Sequence, residues 1–522
     1  MTAATPYRSV RPRGRDGFLR LLRAEWTKFR TVRGWVAGMT AAALVTVLVG
    51  LLPAVGGHSS CGMGEVETAC PADPVGPGGQ AVKDRFSFVH RTLTGDGGIT
   101  VRVTSMSGVI TYPPPNHDTI VPGLVPWAKA GIIVKDGTRP GSAYAAVMLT
   151  GAHGVRMQHD FTEDVPGRPG GVSAASPRWL RLDRSGDTIT GYESADGTRW
   201  TEVGTARLAG LPDTVRIGLF VTSPGDLTVT PGEIGGSGEQ VRFTQATAVF
   251  DNVGVRGTTG GGAWSSEEVG AEDGMTDWER HHRPAGLVES GGTLTVTGSG
   301  DIAPSTEGQV VERALTGATV ALIAVIAVAA MFVTAEYRRG LIHTTLTASP
   351  RRGRVPVAKA LVIGAVAFAT GLAAAAVALP IGTRLLAEGG PVLRVSSLTE
   401  LRVIVGTAAL FAVVAVLALA LGALLRRGVA AIAAAVALIV VPYVLATVSV
   451  LPDEAARWLL RLTPAAGFAI QQSVPEYAHV LGHYAPSTGY LPLPPWAGFA
   501  VLCGYAGVAL ALAAVRFGRR DV

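Results

Sequence analysis

The stretch His479-Val-Leu-Gly-His483, with Glu476 one turn earlier, has the histidine spacing of a zinc-binding helix. The glutamate that follows the first histidine in metalloproteases is missing, so interfacial or packing histidines are the better reading. His281 and His282 are neighbours, and neighbours point to opposite faces of a strand, so they form no evident site. No Gly-x-x-x-x-Gly-Lys-Ser/Thr stretch occurs, nor any Gly-Lys pair, which excludes the phosphate cradle of an ATPase from this chain. A Gly-x-Ser-x-Gly elbow is also missing. The chain is therefore not read as an enzyme, and it is expected to hold no metal or cofactor of its own. Cys61 and Cys70 are close enough to staple a small loop. A disulfide is the favoured reading in an exporting compartment, and two free thiols are the alternative. Cys503 lies in an apolar run, where a small packing residue fits.

Aromatic side chains are the other candidates. Trp127, Tyr144, Trp179, Tyr192 and Trp200 could stack on sugar rings, although most aromatics in strands serve core or cross-strand packing. They fall in a region, 80–256, of short alternating runs separated by Gly, Pro, Asp and Asn: 99–103, 130–135, 143–149, 179–183, 188–193, 215–221 and 246–253. Such spacing predicts an antiparallel β-sandwich, with two hairpins in WLRLDRSGDTITGYESADGTRWTEVG. Residues 257–313, opening on GTTGGGAW, read as an extension that completes the sandwich or as a linker.

The rest of the chain is of another kind. Of 522 residues, 48% are hydrophobic and 16% charged, with a mean hydropathy of +0.34. Six segments are near the ~20 apolar residues needed to cross a bilayer: 36–55, 314–335, 360–383, 403–425, 428–451 and 496–515. Residues 56–313 hold 20 Lys and Arg against 30 Asp and Glu, so the remainder carries +16 to reach the total of +6. That basic charge flanks apolar runs, as membrane-flanking charge does, and nucleic acid is not expected as a partner.

Lys and Arg in short flanks set the orientation. Nine lie in residues 1–34, six in 336–359, two at Arg426 and Arg427, and three in the tail 516–522. The loops 384–400 and 452–495 have two each. Both termini and the 336–359 loop are therefore expected in the cytoplasm, and 56–313, with the cysteine loop 56–79, outside. An uncleaved anchor is preferred to a signal peptide for the first span, whose apolar run exceeds a signal core of ~7–15 residues. Ahead of it, in residues 1–35, GFLRLLRAEWTKFRTVRGW places Phe18, Leu19, Leu22, Trp26 and Phe29 at helical spacing. Lys28 and Arg30 lie largely elsewhere on that wheel, as in a basic helix at a membrane surface.

Two resemblances rest on these segments. The order AGIIVKDG, SAYAAVMLTGAHGVRMQ, WLRLDRSGDTITGYESADGTRWTEVG, VRIGLFVTS and ATAVFDNVGV resembles concanavalin-like, laminin-G-like jelly-roll domains. It implies two stacked sheets and, often, a glycan ligand, and no carboxylate pair marks a glycosidase. RAEWTKFRTVRGW and TAEYRRGLIHTTLTASPRRGRVPVAKAL resemble the permease subunits of type-2 ABC exporters, particularly actinobacterial ones. This resemblance implies an interfacial helix carrying Trp26, Lys28, Phe29 and Arg30 in contact with membrane lipid. It also implies a coupling loop, with Glu336, Tyr337, Arg338 and Arg339 beginning the contact and Arg351, Arg352 and Arg354 on its return. The implied partners are a separate P-loop ATPase, which would hold ATP and Mg, and a second permease half. The expected molecule is a six-span α-helical membrane protein of the plasma membrane. A jelly-roll sandwich is inserted between its first two spans, and a membrane-anchored glycan-binding or sensor protein is the alternative.

Overall fold

A computed structural model describes residues 17–56, 72–112, 119–232, 237–259, 263–271, 286–338 and 353–519. Cys61, Cys70, His281, His282, Arg339, Arg351 and Arg352 lie outside the described residues.

The helical part begins with α1 (Phe18–Thr31), followed after Val32 by α2 (Arg33–Gly56). Beyond the β-region come α3 (Gly317–Arg338), α4 (Arg354–Gly389), α5 (Ser397–Leu425), α6 (Gly428–Thr447), the short α7 (Asp453–Leu462) and α8 (Pro495–Arg519). Six of these helices, all but α1 and α7, are long and apolar enough to cross a membrane. Small residues let them approach closely, since little else drives apolar helices together in lipid. A Cβ on Gly317 would lie 2.4 Å from the Thr46 carbonyl oxygen, and one on Gly371 3.0 Å from the Ala408 Cα. The buried faces of α3 and α5 form the bundle centre, with Leu322, Phe332, Leu410 and Phe411 fully enclosed.

The loop that the sequence predicts over 336–359 is only partly a loop. Glu336, Tyr337 and Arg338 lie on α3, and Arg354 and Lys359 on α4, so the stretch 336–359 is not a loop from end to end. Helix α4 has 36 residues and is therefore about 54 Å long, well past a hydrocarbon core of about 30 Å. Hydropathy marks only the apolar middle of such a helix, and its polar first turns are held by tertiary contacts instead.

The β-region is built on two long strands, β2 (Phe86–Thr111) and β13 (Ser237–Thr259), which pair antiparallel with each other. Strand β2 bends at the Gly95–Gly98 segment, where Gly95 has φ +69° and a Cβ on Gly97 would lie 2.4 Å from the Arg256 carbonyl oxygen. Before the bend it pairs with β11 (Thr214–Thr222), and that sheet continues through β4 (Lys129–Lys135), β5 (Tyr144–Thr150), β6 (Val155–His159) and β7 (Glu163–Pro166). After the bend it pairs with β8 (Arg178–Ser185), followed by β9 (Thr188–Ser194) and β10 (Thr201–Arg207). Alternate residues from both layers, such as Val101, Val134, Val147, Leu182 and Leu219, fill the space between them.

A second apolar cluster of Phe86, Phe88, Ile133, Tyr144, Phe161 and Phe220 covers the other face of the first layer. Residues 257–313 are not a linker throughout. Strand β14 (Ser265–Val269) pairs with β2, β16 (Thr293–Gly298) with β13, and β17 (Ile302–Pro304) with β1 (Val82–Asp84). Leu294, Val296 and Ile302 are buried there, so the apolar positions of this Gly-rich stretch outweigh its linker-like composition.

Candidate functional site

Helix α1 has one acidic residue among its basic ones, and that residue is buried. Phe18, Leu22, Glu25 and Phe29 recur at intervals of three and four, the spacing of one helix face, and Glu25 and Phe29 are enclosed against the bundle. Leu19 and Trp26 face away and are exposed, as is Arg30. The predicted interfacial stripe therefore divides into an inward and an outward half. Phe29 packs 6.0 Å from the Phe332 ring and 6.3 Å from that of Trp35, and Trp26 stacks on Phe29 at 6.5 Å.

Glu25 is buried in a four-charge cluster. Its Oε1 accepts from Lys28 Nζ at 2.9 Å and its Oε2 from Lys359 Nζ at 2.7 Å. Glu336 Oε1 accepts from the same two ammonium groups, at 3.0 Å from Lys28 and 2.6 Å from Lys359. Two carboxylates and two ammonium groups cancel, which is the condition for keeping charges this far from water. Lys28 alone is half open; burial opposes its charge, but the bonds and fields of Glu25 and Glu336 prevail and hold it above the ordinary lysine value. The Lys359 ammonium also faces the Phe332 ring at 4.7 Å.

The cluster joins three helices at one point: α1, the last turns of α3 and the second turn of α4. Residues 339–352 connect those ends of α3 and α4. Tyr337, one residue on, lies between the Arg426 guanidinium at 5.3 Å and the Phe517 ring at 6.0 Å, which ties the end of α3 to the α5–α6 turn and to α8. Arg338 is exposed and Arg354 half-buried. Of the residues expected at this site, the structure brings together Lys28, Phe29, Glu336 and Tyr337.

Glu25 and Lys359 were missed. Their signal was a charge on an apolar stripe: an acid at a helix-face position among basic residues, and a lysine inside VPVAKALVIG.

The sandwich gathers three of its five aromatic candidates. Trp179, Tyr192 and Trp200 are half-buried on the solvent side of the β8–β9–β10 layer. The Arg181 guanidinium lies 4.2 Å from the Tyr192 ring centre and 4.6 Å from that of Trp200, while Arg102 lies 5.7 Å from Trp179. Rings interleaved with hydrogen-bond donors are the surface a sugar ring stacks on. The other two are elsewhere. Tyr144 is 1% exposed within the second apolar cluster and presents no face to a ligand, because it alternates onto the covered side of β5. Trp127 is buried, stacked on His153 at 4.0 Å.

The two histidines are not on a helix, and among the described residues they share no hydrogen-bond partner. His479 is buried, with Nε2 3.0 Å from the Phe161 carbonyl oxygen. Burial lowers its pKa, against the pull of that carbonyl. His483 Nδ1 lies 2.9 Å from Glu239 and its Nε2 2.8 Å from Asp453, with the Ser237 hydroxyl bridging to Asp453 at 3.1 Å. Both histidines thus join the sandwich to the 452–495 segment. Among the described residues no group of three or more His, Cys, Asp or Glu is arranged to hold a metal ion.

No family model matches the sequence, and no curated protein matches it. Among solved structures, the chain is similar to a functionally unknown protein from Saccharomyces cerevisiae, at 15% identity and TM-score 0.20 over 33% of this chain and 74% of that one. It is also similar to scytalido-glutamic peptidase with a transition-state analogue inhibitor, at 10% identity and TM-score 0.25 over 42% of this chain and 99% of that one. Likenesses this slight carry no argument about fold, site or activity, and they do not identify a permease.

Proposed function

We propose that the chain is the permease subunit of an ABC exporter in the plasma membrane, driven by a separate P-loop ATPase that binds ATP and Mg. In this reading both termini and residues 339–352 are cytoplasmic, the sandwich is extracellular, and a second permease half completes the pathway. The observation that supports it is the buried cluster of Glu25, Lys28, Glu336 and Lys359. It fastens the amphipathic helix to both helices that carry the connecting segment, so a push on that segment moves three helices together. An ATPase docked there would act on a rigid lever.

The test is co-purification of the chain with a P-loop ATPase subunit from its own cells, together with the stimulation of ATP hydrolysis. Arg338→Ala with Arg339→Ala should weaken capture, and Glu336→Gln should keep capture but reduce stimulation. Unchanged capture and unchanged transport in both variants would overturn the coupling role.

The Trp179–Tyr192–Trp200 face supports a second reading, a membrane-anchored glycan-binding protein without transport. Fold alone does not choose between them. Glycan-array binding by the full chain in detergent, lost on Trp200→Ala, combined with no captured ATPase, would favour it.

A further inference from the structure

Cavities lie where the sandwich meets the helical part, and two of them, among the described residues, differ in charge. The larger, of about 800 Å³, is lined by five carboxylate side chains, Asp73, Asp84, Glu239, Asp301 and Glu307, alongside basic ones. The smaller, of about 350 Å³, has no carboxylate in its lining. Its charged groups are Arg394, from the segment between α4 and α5, and Arg402 of α5.

Arg402 uses two N–H groups on the carbonyls of Ile470 and Gln472, at 3.1 and 2.8 Å, which fixes the guanidinium and leaves its other donors for a guest. Glu312 lies behind it, with one oxygen 2.8 Å from the Ser473 N–H and the other on the Ser473 hydroxyl. Arg394 is exposed and makes no ion pair among the described residues. The sandwich contributes Gln80 and Thr162 to the same wall. A pocket lined by two arginines and neutral hydrogen-bonding groups, with the nearby Glu312 carboxylate turned to Ser473, favours an anion.

The rim shows what else the guest carries. Trp496, in the cavity lining at the first turn of α8, is 66% exposed. Leu398, Leu401 and Val405 form an exposed stripe on α5, beside Thr399 and Arg402 of the lining. An exposed tryptophan at the end of an apolar helix is the usual marker of a headgroup zone, and the leucine stripe offers an apolar track leading from it.

We propose that this cavity binds the phosphate group of an anionic amphiphile, with its tail laid along Leu398, Leu401 and Val405. The site is composite, since the sandwich closes one wall and the helical part supplies both arginines. It stands whether or not the chain transports anything.

The test uses the full chain in detergent, with retention of phosphatidylglycerol and phosphatidylcholine read by native mass spectrometry and inorganic phosphate added as a competitor. Phosphatidylglycerol should be retained in preference to phosphatidylcholine. Arg394→Gln should weaken that retention about tenfold, the scale of a charge-assisted contact, and Arg394→Lys should restore part of it. Arg313→Gln, an exposed arginine outside the cavity, should change nothing. Competition by phosphate supports recognition through the phosphate group. Binding of phosphate alone, dependent on Arg394, keeps the anion site but overturns the amphiphile. Equal retention of the two lipids, or equal losses in the Arg394 and Arg313 variants, overturns the site.

Discussion

Two charge-bearing junctions of this molecule are built on opposite terms. In the helical bundle, Glu25 and Lys359 have 0% and 1% of their side chains exposed, and the four charges of the cluster answer one another with little help from water. Between the sandwich and α7, His483 lies between Glu239, which is 42% exposed, and Asp453, which is 25% exposed. The first arrangement is costly to assemble and costly to break, because any charge left over stays buried. The second is screened and contributes little energy, while fixing where the β13 end rests. A dry junction suits parts that must move as one. A wet one suits parts that separate and meet again.

The dry junction is most exposed to a single substitution at Lys359. Lys359→Met leaves Glu25 and Glu336 facing each other with only the half-open Lys28 between them, and the expected loss is about 3–5 kcal/mol, the usual cost of removing one partner of a buried pair. Pairing it with Glu336→Leu removes one charge of each sign and leaves Glu25 with Lys28, so much of the loss should be regained. Thermal unfolding of both proteins in one detergent gives the answer. If the double variant is no more stable than the single, the four charges do not act as a set.

The contrast also explains what was legible in the sequence. The apolar helices, the strand runs and the residues bordering the connecting segment could be read because their signal is local, a period or a charge beside an apolar run, although the runs 99–103 and 246–253 are only parts of the long strands β2 and β13. Lys28 and Glu336 were found as separate candidates, but nothing in the sequence says that they pair with each other or that Glu336 also takes Lys359, because the first contact joins residues 308 positions apart and depends on how α1 returns to the bundle. The bend in β2 was missed because Gly95–Gly98 breaks the alternation and reads as a turn between two strands. Ser237, Glu239 and Asp453 were missed for the reverse reason. Polar residues in polar surroundings give no contrast, and only the docking of two modules selects them.

A smaller effect sharpens the wet side through pH. His479 is buried between the modules, near Lys129, Asp164 and Asp301, with Trp127 and Tyr477 against its ring. Burial holds its pKa below the ordinary histidine value. The unfolded or undocked state therefore takes up a proton more readily as pH falls through about 6.5, and stability drops in that direction. His90, also lowered by burial against the pull of Glu267, acts with the same sign inside the sandwich. His479→Gln keeps a donor for the Phe161 carbonyl without titrating. The fall in melting midpoint between about pH 7.5 and about pH 5.5 should be smaller in the variant than in the wild type, with the His90 contribution common to both. Equal falls would place the pH response entirely outside the junction.

The smallest expected effect is at His483. His483→Gln can reach one of the two carboxylates but not both, and with Glu239 and Asp453 partly in water the cost should stay below about 1 kcal/mol. The melting midpoint should hardly move. What should change is local: amide exchange should quicken in β12 (Asp226–Pro231) and in the paired start of β13, where Ser237 and Glu239 lose their anchor. Residues 87–90 of β2, held between β11 and β14, should keep their protection. If His483→Gln instead lowers the midpoint as far as Lys359→Met, the two junctions are of equal strength. The sandwich would then be a fixed part of the bundle rather than a module resting on it.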